Sequence, residues 1–181
     1  MPVYIALLRA VNVGGTGKLP MSDLKAICIE AGFSQVQTYI ASGNVVFRAR
    51  AAANKVKSAL EQRLTRYAGK PIGVVVRSAD QLAAVLAANP FKTGAQSTTV
   101  AIFLDAPPSA DALSRVTGRQ REELRLGDRE IYVHYVDGIG RSKLKIPAAR
   151  TGTARNMNTV AKLVSLAAKT AATSKQTRAD G

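Results

Sequence analysis

Four stretches of the 181-residue sequence combine cations, side-chain amides and glycine, a mixture suited to holding an anion. The first is Arg9 with the loop Asn12-Val13-Gly14-Gly15-Thr16-Gly17-Lys18, after which Pro20 opens a helical pattern. Free backbone amides and the positive end of a helix dipole favour negative charge at such a place. The loop is not a Walker A loop, because Asn12 and Leu19 stand where glycine and Ser or Thr are needed. It is not a dinucleotide fingerprint either, since no third glycine follows Gly15 and Gly17 at the required spacing. The second stretch, Ser42-Gly43-Asn44, is explained equally well as a hairpin turn.

The third stretch, Gly138-Ile139-Gly140-Arg141-Ser142-Lys143, sets two cations and a hydroxyl beside backbone that can approach a ligand closely. The fourth, Thr153-Ala154-Arg155-Asn156-Met157-Asn158, opens the last helical pattern, where Thr153 or Asn156 can cap free amides. An arginine at a helix start opposes the dipole unless an anion or a carboxylate offsets it, which singles out Arg155. Arg9 closes an apolar strand and so also calls for a partner. The ligand contacts expected are therefore Arg9, Asn12, Gly14, Gly15 and Lys18, then Ser42 and Asn44, then Arg141, Ser142 and Lys143, and finally Arg155, Asn156 and Asn158. A single site requires these four loops to meet.

No reaction follows from these residues, and no catalytic residue is assigned. The one histidine, His134, lies in a strand-like run and cannot supply the paired ligands of a zinc site. The one cysteine, Cys28, sits in a helical pattern and reads as a small buried thiol. Carboxylates are scattered, and Glu122-Glu123 would point to opposite faces of a strand, so a two-carboxylate hydrolase is poorly supported. No metal and no cofactor are expected.

Charge sets the sign of the partner. Lys and Arg number 26 against 12 Asp and Glu, a formal net charge of +14. Residues 1–90 carry a net +7, residues 91–140 a net −1 and residues 141–181 a net +8. Such a field attracts nucleotides, nucleic acid or other anions. The leading expectation is a binding module for a phosphate-bearing ligand, a nucleotide or nucleic acid. The alternatives are an enzyme acting on an anionic small molecule at the same loops, and an interaction protein with no small ligand. The sequence has no Trp, and its low aromatic content argues against extensive base stacking. No apolar run approaches the length of a membrane span, and the segment 3–8 lacks the charged lead of a signal peptide. With a single cysteine, the expectation is a soluble cytoplasmic protein without a membrane partner.

The elements that must position these residues follow from periodicity. An apolar run over 3–11 predicts a strand. Leu24, Ile27, Cys28 and Ala31 form a helical stripe ended by Gly32. Strands at 36–40 and 45–48 flank the Ser42 turn, a helix spans 51–67 and a strand 72–77. The order is β-α-β-β-α-β, that of ferredoxin-like folds. The second half reads as a helix over 78–88 with Ser78 as N-cap, a strand over 98–104, a short helix over 110–116, a hairpin across Gly127-Asp128, and a helix over 156–171. It lacks a final strand. The fold expected is α+β: a ferredoxin-like subdomain over 1–78, a second, related α/β subdomain over 79–171 sharing the core, and a flexible basic tail over 172–181.

Several segments together resemble domain-of-unknown-function family 1697. They are residues 4–15 with Lys18, Pro20 and Met21, residues 38–47, Asn89-Pro90-Phe91, residues 137–144 and residues 152–160. The resemblance runs from about residue 3 to residue 168. It implies a compact α+β fold and a mainly bacterial distribution, and it brings no activity with it. Met157 stands where the family usually has Trp, which weakens any ring-stacking role for that position.

Overall fold

A computed structural model describes residues 1–14 and 17–179, with side chains through Thr173. The chain divides into two compact units, residues 1–82 with 162–181, and residues 83–161.

In the first unit, β1 (Val3–Leu8) is uncharged and buried along its whole length. It lies inside a four-stranded antiparallel sheet of order β2-β3-β1-β4, with β2 (Ser34–Tyr39), β3 (Asn44–Arg48) and β4 (Val74–Ser78). Helix α1 (Met21–Glu30) connects β1 to β2, and α2 (Ala53–Ala68) connects β3 to β4. This is the expected ferredoxin-like order. Alternation sends Tyr4, Ala6 and Leu8 to one face, where they join Leu24, Ile27 and Cys28 of α1 and Val56, Leu60 and Leu64 of α2. Phe33 stacks on Phe47 within that core, with ring centroids 4.5 Å apart. Gly69 ends α2 in a left-handed cap, its N–H bonded to the Thr65 carbonyl. Arg48, on the other face of the sheet, donates to the Thr170 and Ala171 carbonyls of the C-terminal helix, to the Met1 carbonyl and to the Gln35 side chain.

Helix α3 (Ala79–Ala87) starts as its sequence predicts. The Gln81 N–H donates to Ser78 Oγ and the Ser78 N–H to Gln81 Oε1, a reciprocal capping box. The second unit holds another antiparallel sheet, of order β6-β7-β5-β8, from β5 (Thr99–Phe103), β6 (Glu123–Leu126), β7 (Glu130–His134) and β8 (Thr153–Asn156). Counted within its own unit, this is the strand order of the first sheet. The hairpin across Gly127-Asp128 is present, closed by the Gly127 N–H on the Glu130 carbonyl.

Two elements differ from expectation. Residues 110–116 form successive single turns rather than a helix, with Ala112, Ser114 and Val116 each donating three residues back. A segment that short cannot offset helix nucleation alone, and it instead lays Leu113 and Val116 on the sheet. The missing final strand exists as β8, which pairs along β5 before α4 (Met157–Ala179) begins. Asn156 Oδ1 accepts from the Thr159 N–H and caps that helix. α4 also continues past residue 171, through most of the segment expected as a tail. Residues 180–181 lie outside the described residues. No helix among the described residues is long and apolar enough to cross a membrane.

Candidate anion-binding cleft

The site is built where β1 ends. Past Leu8 the chain takes two left-handed residues, Ala10 (φ 49°) and Asn12 (φ 56°). The Asn12 side chain then acts as a substitute peptide group. Its Nδ2 donates to the Leu19 carbonyl (2.8 Å) and the Ala41 carbonyl (2.8 Å), and its Oδ1 accepts from the Leu19 N–H (2.6 Å). One amide thus closes the glycine loop and fastens it to the β2–β3 turn. In that turn the carbonyl of Gly43 (φ 86°) accepts from the Leu8 N–H, and a Cβ at Gly43 would come within 2.7 Å of Val11. Only glycine meets both demands.

Arg9 stands just beyond β1 and is half-buried, not enclosed in the strand as its neighbours suggested. Its N–H donates to the Gly73 carbonyl (2.9 Å). Its side chain lies along the bare backbone of Gly73, where a Cβ would sit 3.0 Å from Arg9 Cδ. There Arg9 lines a cleft of about 640 Å³ with Lys18, Lys70 and Tyr67. Among the described residues, no carboxylate lines it. Tyr67 donates its O–H to Asp23 Oδ2 (2.6 Å), and that hydrogen bond pushes the phenol up from its ordinary range. Lys70 was not expected from sequence: it follows α2, far along the chain from Arg9, and only the β1–β4 pairing brings the two together.

A second cleft, of about 580 Å³, shares Gly17, Lys18 and Leu19 with the first. Asn12, Val13, Gly14, Pro20, Met21 and Ala41 complete it. Arg9, Asn12, Gly14 and Lys18 are therefore neighbours, while Gly15 lies outside the described residues.

Several of the remaining expected contacts hydrogen-bond within the protein. Asn44 is not in the turn but begins β3, fully buried, donating to the Tyr39 carbonyl and Ser42 Oγ. Ser42 is half-buried in the same turn. In the second unit, the Ser142 hydroxyl donates to Glu122, and Arg141 and Lys143 are exposed on either side of it. Glu122 is buried, and the Ser142 hydroxyl, then the Gln120 N–H, hold its carboxyl below the usual range.

Arg155 is on strand β8 and not at a helix start, so the dipole conflict does not arise. Its Nη1 donates to Thr153 Oγ1 (2.7 Å) and the Ala154 carbonyl (2.9 Å), and burial lowers its pKa to about 10. Asn156 is spent as the cap, and Asn158 is exposed in the first turn of α4. Cys28 is buried, and burial raises its thiol to about 12, too high to be a nucleophile at neutral pH. His134 faces Glu123 at 3.7 Å and the Phe91 ring. Among the described residues no group of three or more His, Cys, Asp or Glu could hold a metal ion.

No curated protein matches the chain. A solved structure of a conserved bacterial protein from Streptococcus pneumoniae is similar, at 22% identity and a TM-score of 0.76, covering 92% of this chain and 98% of that one. At that identity the likeness shows a shared fold. The family model described as a protein of unknown function (DUF1697) matches residues 1–132, which includes the whole Arg9–Lys18–Lys70 cleft. The segments at 137–144 and 152–160 fall outside that match, which ends within β7. Because the match takes in well over half of the sequence, the chain belongs to the DUF1697 family.

Proposed function

We propose that the protein is a binding module for a small phosphate-bearing ligand, held in the cleft of Arg9, Lys18 and Lys70. One observation carries the reading: three cations from three separate segments, Arg9, Lys18 and Lys70, line one concavity. Cations gathered on one concave surface give it a positive potential that favours an anion. Arg9 offers planar donors for two oxygens of a phosphate, and the lysines add point charges. A concave site of this size encloses a small molecule more readily than it tracks a polymer.

Calorimetric titration of the full chain with inorganic phosphate and with adenosine monophosphate, at about 0.15 M salt, tests this. Binding is expected in the wild type. Lys70→Glu should weaken it by about tenfold or more, a loss of one charge-assisted contact. Lys162→Glu, on an exposed position of α4, should leave it unchanged. Equal losses in the two variants, or no binding at all, would overturn the proposal.

A further inference from the structure

Among the described residues the two sheets have four edge strands, β2, β4, β6 and β8. An edge strand offers every second N–H and C=O to whatever chain comes alongside, so an open edge invites strand pairing. The pairing register tells which groups face outward. In the β6–β7 hairpin the Gly127 N–H bonds the Glu130 carbonyl, so Glu123 and Arg125 turn their backbone groups to β7 and Leu124 turns its own outward. Arg125 Nη1 donates to that outward Leu124 carbonyl (2.9 Å). In β5, Thr98 and Leu104 bond toward the β7 side, which leaves Ala101 and Phe103 to face β8. Their partners Arg155 and Thr153 therefore bond inward and Ala154 points out, and Arg155 Nη1 donates to the Ala154 carbonyl (2.9 Å). In β4 the Gly73 carbonyl accepts from the Arg9 N–H, so Val75 and Arg77 face β1 and Val76 points out. Arg77 Nη1 donates to the Val76 carbonyl (3.2 Å).

Three edges thus repeat one arrangement: an arginine at an inward-bonded position folds its guanidinium over the outward carbonyl of the residue before it. β4 is stopped further, with Glu61 Oε1 accepting from the outward Val74 N–H and Gln81 Oε1 from the outward Ser78 N–H. β2 is blocked differently. Its pairing with β3 slips between Ser34 and Gln37, where Gln35 is left-handed (φ 50°) and accepts from Arg48 Nε. A bulge of that kind bends an edge away from any incoming strand. Arg77 and Arg155 are buried, so their guanidinium groups need acceptors in any case. Arg125 is exposed, with water in reach, and burial does not force its return to the Leu124 carbonyl.

We propose that these contacts are edge guards, and that Arg125 keeps the β6 edge from pairing with β6 of a second copy of this chain. Its guanidinium occupies the acceptor that a new strand would need. It also sets a cation where an identical edge would bring another, and like charges on paired strands repel. Partners of this protein are then met by side-chain surfaces and clefts rather than by an added strand.

Analytical ultracentrifugation and amide hydrogen exchange on the full chain test this with Arg125→Thr and Arg125→Lys. Arg125→Thr removes the contact and the charge and adds strand propensity, so its weight-average mass should rise with concentration beyond that of the wild type. In the associated material, exchange at the outward Leu124 and Leu126 amides should slow by about tenfold or more. Arg125→Lys keeps the charge and gives up the planar fork, so it should associate too, less strongly than the threonine variant. A threonine variant no more associated than the wild type would overturn the proposal. So would wild-type association that slows the Leu124 and Leu126 amides, or variant association that leaves them unchanged. A lysine variant indistinguishable from the wild type would overturn the carbonyl contact as the guard and assign the effect to charge alone. Should urea unfolding show that Arg125→Thr is poorly folded, Arg125→Lys carries the test by itself.

Discussion

Asn12 shows how one side chain can fix the path of a loop. Its amide bridges the Leu19 backbone and the Ala41 carbonyl, so the loop carrying Gly17 and Lys18 is tied to the β2–β3 turn. Its left-handed backbone is one that Asn tolerates better than most residues. Nearby Ile40, also left-handed (φ 49°) and 48% exposed, has no such excuse, being β-branched. Strain of this kind persists only where surrounding contacts over-determine the backbone, and the Asn12–Ala41 hydrogen bond is such a contact. Asn12→Ala removes three hydrogen bonds and puts Ala in a left-handed conformation. We expect a loss of about 1–3 kcal/mol in stability, measured by urea unfolding. Weaker binding of inorganic phosphate should accompany it, because Lys18 loses its fixed position. A variant with unchanged stability would show that the loop is held by other contacts.

At the scale of elements, the second unit poses a physical question: its sheet has the strand order of the first but no α-helix between β5 and β6 or between β7 and β8. Irregular chain covers one face instead, with Leu113, Val116, Leu144, Ile146, Ala148 and Ala149 packed on Val100, Ile102, Leu124 and Ile131. Such chain needs pins, and Glu122 is one, accepting from Ser142 of one covering segment and from the Gln120 N–H of the other. Its carboxyl is held below the ordinary range in the folded state. The resulting stabilisation is present above the unfolded pKa, about 4.3, and is lost as pH falls through the folded value. Glu122→Gln should therefore be less stable than the wild type at neutral pH, with the gap closing as pH falls below about 4 in thermal or urea unfolding. A gap independent of pH would assign the effect to packing. The first unit was legible as a sequence because α1 and α2 each have an apolar stripe and β1, β3 and β4 each an apolar run. Strand β8 was not: Thr153-Ala154-Arg155-Asn156 is short and polar, and its burial comes from pairing with β5. The turns at 110–116 share their composition with a helix, and only length separates the two. Of the proposed site, Arg9 and Lys18 could be read from the loop beside them. Lys70 could not, nor could the fact that the amides of Asn12 and Asn44 are spent on backbone.

For the whole molecule, the net charge of +14 creates a problem of interpretation for any binding experiment. Cations concentrated in residues 1–90 and 141–181 will draw polyanions by counterion release, with no site required. Affinity of that origin falls steeply with salt, with a log–log slope of about 0.7–0.9 for each phosphate neutralised. It also depends on how many charges face the polymer, and hardly at all on which cleft they line. The cleft reading and the diffuse-field reading therefore separate in one comparison. Lys70→Glu and Lys162→Glu change the total charge equally, but only Lys70 lines the cleft. On a heparin or single-stranded DNA column, both variants should elute at lower salt than the wild type and close to one another. In titration with inorganic phosphate at about 0.15 M salt, only Lys70→Glu should lose affinity. If Lys70→Glu instead leaves the column far earlier than Lys162→Glu, the cleft itself grips the polymer. The ligand would then be a nucleic acid strand threaded past Arg9 and Lys18.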